Sequence, residues 1–313
     1  MSQKGTLPWV IMKGITLFFC LLLPLGCAAY QHSPQHIDEV SLELEHHLTF
    51  KNGTLQPVSI SLFWKMVEEA DVIVLGELHD HVIGHAFQNK VVDRVMSLFP
   101  KSTLALEMLE RDEQPIIDDF MEGIISGDNF AKLTHSQNWS GKDSWAAWYQ
   151  PIINTTKVLG GSVVGANAPR RYVTLGRTDG FSAIEALPEN RRKFVTTPDP
   201  LIDNHYQDRF FELAGITNYD EQVDEIERVL GFYRAQQIWD ATMAESVVQL
   251  KPFVDAKAIL LVGQFHVEYE GGLVQFLKRG LPDANILTIT VHPALPEPEF
   301  EDIPISDIVV YEK

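Results

Sequence analysis

Short apolar runs alternate with longer amphipathic stretches along most of the chain. The runs are rich in β-branched and aliphatic side chains and are bounded by glycine or polar residues, which is typical of buried strands. They occupy residues 72–75, 103–106, 163–164, 259–262 and 286–290. A further run at 308–310 predicts an edge strand.

The stretches between these runs predict helices. Apolar residues recur near the helical period over residues 81–99 and 114–121. Strands that alternate with helices predict an α/β fold, in which a mostly parallel sheet is flanked by helices. Residues 183–250 have mostly helical patterning and are too numerous for a simple crossover. They predict a smaller helical subdomain over the C-terminal ends of the strands.

One four-residue pattern, Gly-x-x-His, follows two of the predicted strands. It occurs as GELH at 76–79 and as GQFH at 263–266. Ligands of open α/β sheets bind beyond the carboxyl ends of the strands. The pattern therefore predicts that His79 and His266 lie at one rim of the sheet, with Glu77 beside them. One carboxylate and two imidazoles can hold a divalent metal or act as acid and base in catalysis.

The first of these motifs lies in a dense cluster of polar residues. Three histidines and two carboxylates fall between Gly76 and His85, and such side chains bind zinc or non-haem iron. His81 and His85 are four residues apart and share a face if the helix begins by then. In the alternative interpretation, Asp80 caps the helix and His85 only packs.

Charged residues also follow the next two predicted strands. Glu107 follows the second strand, where an ionised carboxylate requires a partner or a ligand. Arg170 and Arg171 follow the third strand. They can neutralise Glu77 and Glu107, or they can clamp a ligand carboxylate or propionate through forked hydrogen bonds. The sequence leaves both interpretations open.

A polar helix face is predicted around residue 240. Gln236, Asp240 and Met243 recur at spacings of four and three residues, so they can share an inward face. The alternative for Asp240 is a solvated position on the helix surface.

Three tyrosines are candidate ligands for ferric haem, since phenolate is the haem ligand in catalase-type sites. Tyr269 follows the second Gly-x-x-His motif, and Tyr149 and Tyr206 are further candidates. His205 precedes Tyr206, and a tyrosine–histidine couple can hold the phenol ionised. The sequence does not choose among the three.

The N-terminal 26 residues predict a signal peptide. Two lysines precede an apolar stretch at 15–25, which is too short for a transmembrane helix. Cys27 directly follows Gly26, as in a bacterial lipobox, which predicts lipidation of Cys27 and an outer-membrane location with the body in the periplasm. Cleavage near Ala28 without a lipid is the alternative. Residues 27–60 then form a tether and N-terminal segment, and residues 61–313 form the domain.

Charge and cysteine content narrow the possible partners and compartments. The formal net charge is −18, which argues against binding to nucleic acid or to an anionic lipid surface. Cys20 and Cys27 are the only cysteines, so a mature chain that begins at Cys27 cannot form an internal disulfide.

Several short motifs, in order along the chain, together resemble the ChaN family of haem-binding lipoproteins. The motifs are Gly76-Glu77-x-His79 with His85-x-x-Gln88, Leu106-Glu107-Met108 with Gln114, Trp145 with Tyr149, Asn167-x-Pro169-Arg170, Gln236-x-x-x-Asp240-x-x-Met243-Ala244 and Gly263-x-x-His266-Val267. The wider superfamily includes Tiki-type proteases and erythromycin esterase-like proteins. Phe265 stands where family members often have a second glycine.

The resemblance implies an iron-regulated, membrane-tethered protein that binds haem through tyrosine. It also implies two haems stacked between two subunits and partners in the outer-membrane haem uptake machinery. A second hypothesis is a metal-dependent hydrolase, with Glu77 or Glu107 as general base and with His79 and His266 as ligands or electrophiles. In a third, the rim residues only hold the ends of the sheet together.

Overall fold

A seven-stranded sheet forms the centre of the molecule. The computed structural model describes residues 47–216, 222–252 and 255–313, so the predicted signal peptide, Cys27 and most of the tether lie outside the described residues. The strands are β1 (Leu48–Asn52), β2 (Val72–Glu77), β3 (Thr103–Glu110), β4 (Ser162–Asn167), β5 (Ala258–Gly263), β6 (Ile286–His292) and β7 (Ile308–Glu312). Their spatial order is β1-β7-β6-β2-β5-β3-β4, and only the β1–β7 pair is antiparallel.

Helices cover both faces of this sheet. In the described ranges they are α1 (Ile60–Glu69), α2 (Val82–Leu98), α3 (Gln114–Met121), α4 (Gly127–Leu133), α5 (Gln150–Val158), α6 (Arg170–Asp179), α7 (Phe181–Glu185), α8 (Glu189–Arg192), α9 (His205–Leu213), α10 (Val223–Leu250) and α11 (Gly272–Gly280). Short 3₁₀ turns span Arg111–Glu113 and Gln264–His266, and a π-helix spans Trp145–Tyr149. The predicted α/β fold with a mostly parallel sheet is confirmed.

The central strands are buried on both faces because alternate side chains enter two separate cores. Ile73 and Leu75 of β2 join a core with α1 to α5, while Val72 and Val74 join a core with α10 and α11. Side chains alternate across a strand, so a strand covered on both faces reads as a continuous apolar run. The sequence pattern therefore reflects the two helical layers.

Two details of the predicted elements are wrong. The run at 308–310 belongs to β7, which lies between β1 and β6 and is not an edge strand. The predicted helix at 81–99 begins at Val82, with His81 as its N-cap and no side-chain capping bond. Asp80 therefore does not cap this helix, and His81 instead contacts Glu312 of β7 at 2.7 Å.

Helix α10 contributes both to the sheet layer and to a smaller helical cluster. Near its C-terminus, Met243, Ala244 and Val247 pack against the sheet. Further towards its N-terminus, Val229 and Tyr233 pack with aromatic side chains of α9. Across the part of the chain that the structure describes, no helix is long and apolar enough to cross a membrane.

Candidate functional site

The two Gly-x-x-His segments meet at the carboxyl ends of β2 and β5. These strands are parallel neighbours, and Glu77 lies opposite Gly263 in their register. A Cβ atom added at Gly263 would lie 3.2 Å from His79 Nε2 and 3.5 Å from Glu107 Oε2. Glycine thus leaves room at this point for an imidazole and a carboxylate to approach each other.

Glu77 is a buried carboxylate surrounded by hydrogen-bond donors. It accepts from Tyr149 Oη and Gln88 Nε2, each at 2.7 Å, and pairs with His79 Nδ1 at 2.8 Å. Burial alone would raise the pKa of Glu77, but nearby His85, the His79 contact and the Tyr149 hydrogen bond bring it down to about 2. Glu77 is therefore ionised at neutral pH.

His79 carries the complementary charge. Burial alone would lower its pKa, but the hydrogen bond to Glu77 and the field of Glu107 raise the pKa of His79 to about 9. The imidazole is therefore protonated at neutral pH, with Nδ1 directed at Glu77 and Nε2 near Gly263. Its side chain is 16% exposed, which places it at the mouth of the site.

A second layer fixes the orientation of this pair. His85 is fully buried, contacts the backbone oxygen of His79 at 3.1 Å and stacks on Trp148 with ring centroids 5.0 Å apart. Burial lowers the pKa of His85. The π-helix supplies both Trp148 and Tyr149, and π-helical turns are frequent at functional sites.

A second cluster of buried polar side chains surrounds His266, the histidine of the second Gly-x-x-His motif. His266 Nδ1 contacts Asp240 Oδ1 at 2.5 Å, and Asp240 Oδ2 accepts from Tyr206 Oη at 2.8 Å. Gln236 Nε2 donates to Tyr206 Oη at 2.9 Å and lies 3.1 Å from His266 Nδ1. Burial alone would lower the pKa of His266, but the Asp240 carboxylate raises it. This group is therefore a carboxylate–imidazole pair with a phenol behind it.

Glu107 lies between the two groups. Its Oε2 accepts from the Gly263 N–H at 2.6 Å, and its Oε1 is 3.7 Å from His266 Nε2. Together the residues form an alternating array of carboxylates and imidazoles, which we call the rim array. Its members, in order, are Glu77, His79, Glu107, His266 and Asp240. Such an array can hold a proton and pass it between neighbours.

The predicted pairing of Glu107 or Glu77 with the arginines is wrong. Arg170 lies with Nε 3.9 Å from Glu110, and Arg171 pairs with Asp112. Both arginine side chains are half exposed. Strand β3 continues past Glu107 to Glu110 with an irregular register against β4, so the later carboxylates face the start of α6.

The three candidate tyrosines differ in what holds their hydroxyls. Tyr149 donates to Glu77 and Tyr206 to Asp240, both buried carboxylates. Tyr269 accepts from the backbone N–H of Glu299 at 2.9 Å. Burial raises the pKa of both Tyr206 and Tyr269.

The predicted His205–Tyr206 couple does not form. His205 Nε2 instead contacts the backbone oxygen of Tyr269 at 2.6 Å. His205 therefore supports the backbone of Tyr269, while Asp240 and Gln236 hold the phenol of Tyr206.

The remaining predicted site residues have different roles. Met243 is fully buried in the core against the sheet, whereas Gln236 and Asp240 face the rim array. Within the described ranges no group of three or more His, Cys, Asp or Glu side chains is arranged to hold a metal ion.

Two residues at the mouth carried no signal in the sequence. Ser140 Oγ donates to the His79 backbone oxygen at 2.5 Å, and the Trp139 ring meets the His79 ring edge-on at 6.2 Å. The Arg170 guanidinium lies 5.3 Å from the Trp139 ring. Both residues come from the loop after α4, where a lone serine and tryptophan follow no periodic pattern.

Comparison with known proteins gives one family. The family model described as "Haem-binding uptake, Tiki superfamily, ChaN" matches residues 63–277. The search of curated proteins gives no match.

The chain is similar to several solved structures, and a protein from Campylobacter jejuni shares its fold. ChaN of Campylobacter jejuni, in a structure described as showing cofacial haem binding, has a TM-score of 0.62 and 21% identity over 85% of this chain and 97% of that one. A succinoglycan biosynthesis protein (TM-score 0.47, 12% identity, 88% of this chain and 96% of that one) is more distant. So is a mutant of the erythromycin esterase EreC in its open conformation (TM-score 0.43, 13% identity, 84% of this chain and 82% of that one). At these identities the likeness is one of fold.

Proposed function

The chain belongs to the haem-binding uptake family of the Tiki superfamily that includes ChaN, and from that premise we propose that it binds haem in iron acquisition. The observation that carries the proposal is the family match over residues 63–277, which spans both Gly-x-x-His motifs and all three candidate tyrosines. Ferric haem accepts a phenolate oxygen as axial ligand.

Tyr269 is the tyrosine that fits this role best. Tyr149 and Tyr206 donate to buried carboxylates, so withdrawing either would leave Glu77 or Asp240 short of a donor. Among the described residues, the Tyr269 hydroxyl accepts a backbone N–H from a coil segment, and the Arg209 guanidinium lies 4.7 Å from its ring. Burial raises the pKa of Tyr269 overall, and the Glu299 N–H and the Arg209 guanidinium partly offset that rise in favour of the phenolate, the form that ligates iron.

An absorbance titration with hemin tests the proposal. The wild type is compared with single Tyr→Phe variants at 149, 206 and 269, and Tyr172→Phe serves as a control because Tyr172 packs in a separate cluster on α6. We expect a Soret shift that Tyr269→Phe abolishes and Tyr172→Phe retains. A wild-type spectrum identical to that of free hemin would overturn the haem proposal.

We propose further that Cys27 carries a lipid and anchors the chain to the outer membrane, with its body in the periplasm. The lipobox-like Gly26-Cys27 pair supports this location. Haem binding by two copies would then form a homodimer, and the outer-membrane haem uptake machinery would be the partner. Sedimentation velocity with and without hemin tests the dimer: we expect the mass to double on addition of hemin, and an unchanged mass contradicts it.

The rim array favours a second candidate function, hydrolysis. A haem carrier does not require three carboxylates and two imidazoles at one rim. Glu107 is the carboxylate placed between His79 and His266, where a general base could activate water while protonated His79 stabilises developing negative charge. Protonated His79 has no lone pair to offer a divalent metal, so the described residues of the array fit a metal-free mechanism better than a metal-dependent one.

Ester and peptide substrates test the hydrolase candidate. We expect Glu107→Gln to lower any turnover by about 100-fold, with Glu110→Gln as the control on the same strand. Loss of turnover with a chelator would assign a metal-dependent mechanism, and retained turnover a metal-free one. Equal rates for wild type and Glu107→Gln would remove the candidate.

A further inference from the structure

An arginine outside the rim array lies between two carboxylates. Arg209 of α9 donates from Nε to Glu299 at 2.7 Å and from Nη2 to Glu268 at 2.5 Å and Glu299 at 3.1 Å. The rings of Phe265 and Tyr269 lie 4.8 and 4.7 Å from the guanidinium. Its side chain is 8% exposed, and its buried Nη1 has no hydrogen-bond partner among the described residues.

The two carboxylates are not equivalent. The Glu268 side chain is 6% exposed, whereas that of Glu299 is 49% exposed. One guanidinium therefore faces two acidic groups, of which only Glu299 can return to water at low desolvation cost. Glu268 must keep Arg209 as its partner, because an unpaired buried carboxylate is strongly destabilising.

Glu299 comes from a weakly held coil, residues 293–304 between β6 and β7. The coil contains four prolines, which lack a backbone N–H. Among the described residues, its only backbone hydrogen bond runs from the Glu299 N–H to Tyr269 Oη. The edge contact of Phe300 with the Tyr269 ring, at 5.1 Å, adds to it. Glu299 thus binds Arg209 through its side-chain carboxylate and Tyr269 Oη through its backbone N–H.

We propose that Arg209 binds a carboxylate of the ligand, and that the Glu299 carboxylate occupies the same position when no ligand is bound. Exchanging one carboxylate for another leaves the buried charge unchanged, so it adds no uncompensated ion. The unpartnered Nη1 offers a donor that Glu299 does not use. The inference rests on the proposed haem function, because the two propionates of haem supply the carboxylate.

The exchange couples recognition of the ligand to opening of its site. When a ligand carboxylate displaces Glu299, the Glu299 N–H leaves with it and the Tyr269 hydroxyl becomes free. A ligand without a carboxylate gains no contact with Arg209 to offset the loss of the Glu299 ion pair. The apparent affinity is therefore the intrinsic affinity multiplied by the fraction of molecules in which Glu299 has left Arg209.

The test uses hemin and hemin dimethyl ester, in which both propionates are blocked, titrated by absorbance. Glu299→Gln removes the competing carboxylate, and Glu301→Gln is the matched control on the same coil. We expect Glu299→Gln to bind hemin roughly tenfold more tightly than wild type and Glu301→Gln. We also expect wild type to prefer hemin over the ester by roughly tenfold. Arg209→Lys, which keeps a charge beside Glu268 but lacks the fork, should lose this preference.

The outcomes separate this inference from the proposed function. Equal hemin affinity of Glu299→Gln and Glu301→Gln, with no preference of wild type over the ester, overturns the carboxylate site while haem binding stands. Hemin binding by Glu299→Gln alone supports both. No binding by any variant overturns the haem proposal, and the carboxylate site falls with it.

Discussion

At the scale of single residues, the Glu77–His79 pair is a strongly polarised contact of the site. Its partners push the two pKa values in opposite directions, to about 2 and about 9. The ordinary values are 4.5 and 6.5, so both groups are charged over a wide pH range. Each shift is also a contribution to folding stability, since the charged form is favoured more strongly in the folded state than in the unfolded state.

His79→Gln tests this contribution. A raised histidine pKa stabilises the fold fully below pH 6.5, and the stabilisation is lost as the pH rises through about 9. The free energy of unfolding of the wild type should fall by about 2 kcal/mol more across that window than that of His79→Gln. Urea unfolding on either side of that window measures this, with His47→Gln as control. Parallel pH profiles of wild type and variant would contradict it.

At the scale of elements, the site depends on how closely the backbone at the start of α11 approaches buried side chains. Helix α11 begins at Gly272, where an added Cβ would lie 2.3 Å from Asp240 Oδ2 and 2.7 Å from Tyr206 Cε1. The start of this helix therefore forms one wall around the Asp240 carboxylate. A larger residue there must displace Asp240 or Tyr206 from the hydrogen bonds that hold His266.

Gly272→Ala is expected to destabilise the fold by about 1–3 kcal/mol, because the added methyl overpacks a buried polar group. It should also lower the pKa of His266, since Asp240 is pushed away from it. Thermal unfolding and NMR titration of the imidazole measure the two effects. Gly127→Ala, where the nearest atoms belong to the flexible Gln150 side chain at 3.3 Å or more, is the control. Equal stability of both variants would contradict the steric argument.

The turn between β3 and α3 gives a second prediction at this scale. Glu113 caps the Glu110 N–H at 2.7 Å, and burial together with the fields of Glu110 and Asp112 raises the pKa of Glu113 to about 8. The folded state thus keeps a proton that the unfolded state loses near pH 4.5, so wild-type stability falls as pH rises from 4.5 to about 8. Glu113→Gln keeps the acceptor and removes this fall.

Chemical denaturation at about pH 8 checks the effect. We expect Glu113→Gln to be more stable than wild type by about 1 kcal/mol, a value reduced for the partial exposure of this side chain. The exposed Glu122→Gln should leave stability unchanged. A variant less stable than wild type under these conditions would show that the carboxylate charge supports the turn.

The sequence predicts the elements that depend on local apolar pattern, and it predicts contacts that follow from neighbouring parallel strands. His79 and His266 fall at one rim for that reason. The partners of Glu107 could not be predicted, because the register of β3 against β4 is irregular after Leu106. As a result, Arg170 lies beside Glu110 and not beside Glu107. Arg209 and Glu299 are 90 positions apart, and Glu299 lies in a coil without periodicity. The sequence therefore contains no pattern from which their contact could be predicted.

At the scale of the whole molecule, the described chain begins at the edge of the sheet. Strand β1 is antiparallel to β7, and Leu48 lies opposite Glu312. Glu312 ends a strand parallel to β6 and contacts His81 beyond the end of β2. The segment before residue 48 therefore joins the body at the rim that carries the array, next to an outer strand.

Cys27→Ala tests whether this segment carries an anchor. We expect the wild-type chain to partition into the detergent phase and to carry acyl mass at its N-terminus, since a lipoprotein holds several chains. The variant should partition into the aqueous phase. An aqueous wild-type chain that begins at residue 28 or 29 would establish cleavage without a lipid.

The position of β1 also determines how an anchored body would face the bilayer. About 20 residues separate Cys27 from residue 47, a leash that spans at most about 70 Å when fully extended. This segment is attached at the rim, so an anchored chain would be tethered at the end of the sheet that carries the rim array. The charge of −18 opposes close contact with anionic headgroups. An anchored body would therefore stand off from the membrane within the reach of this segment.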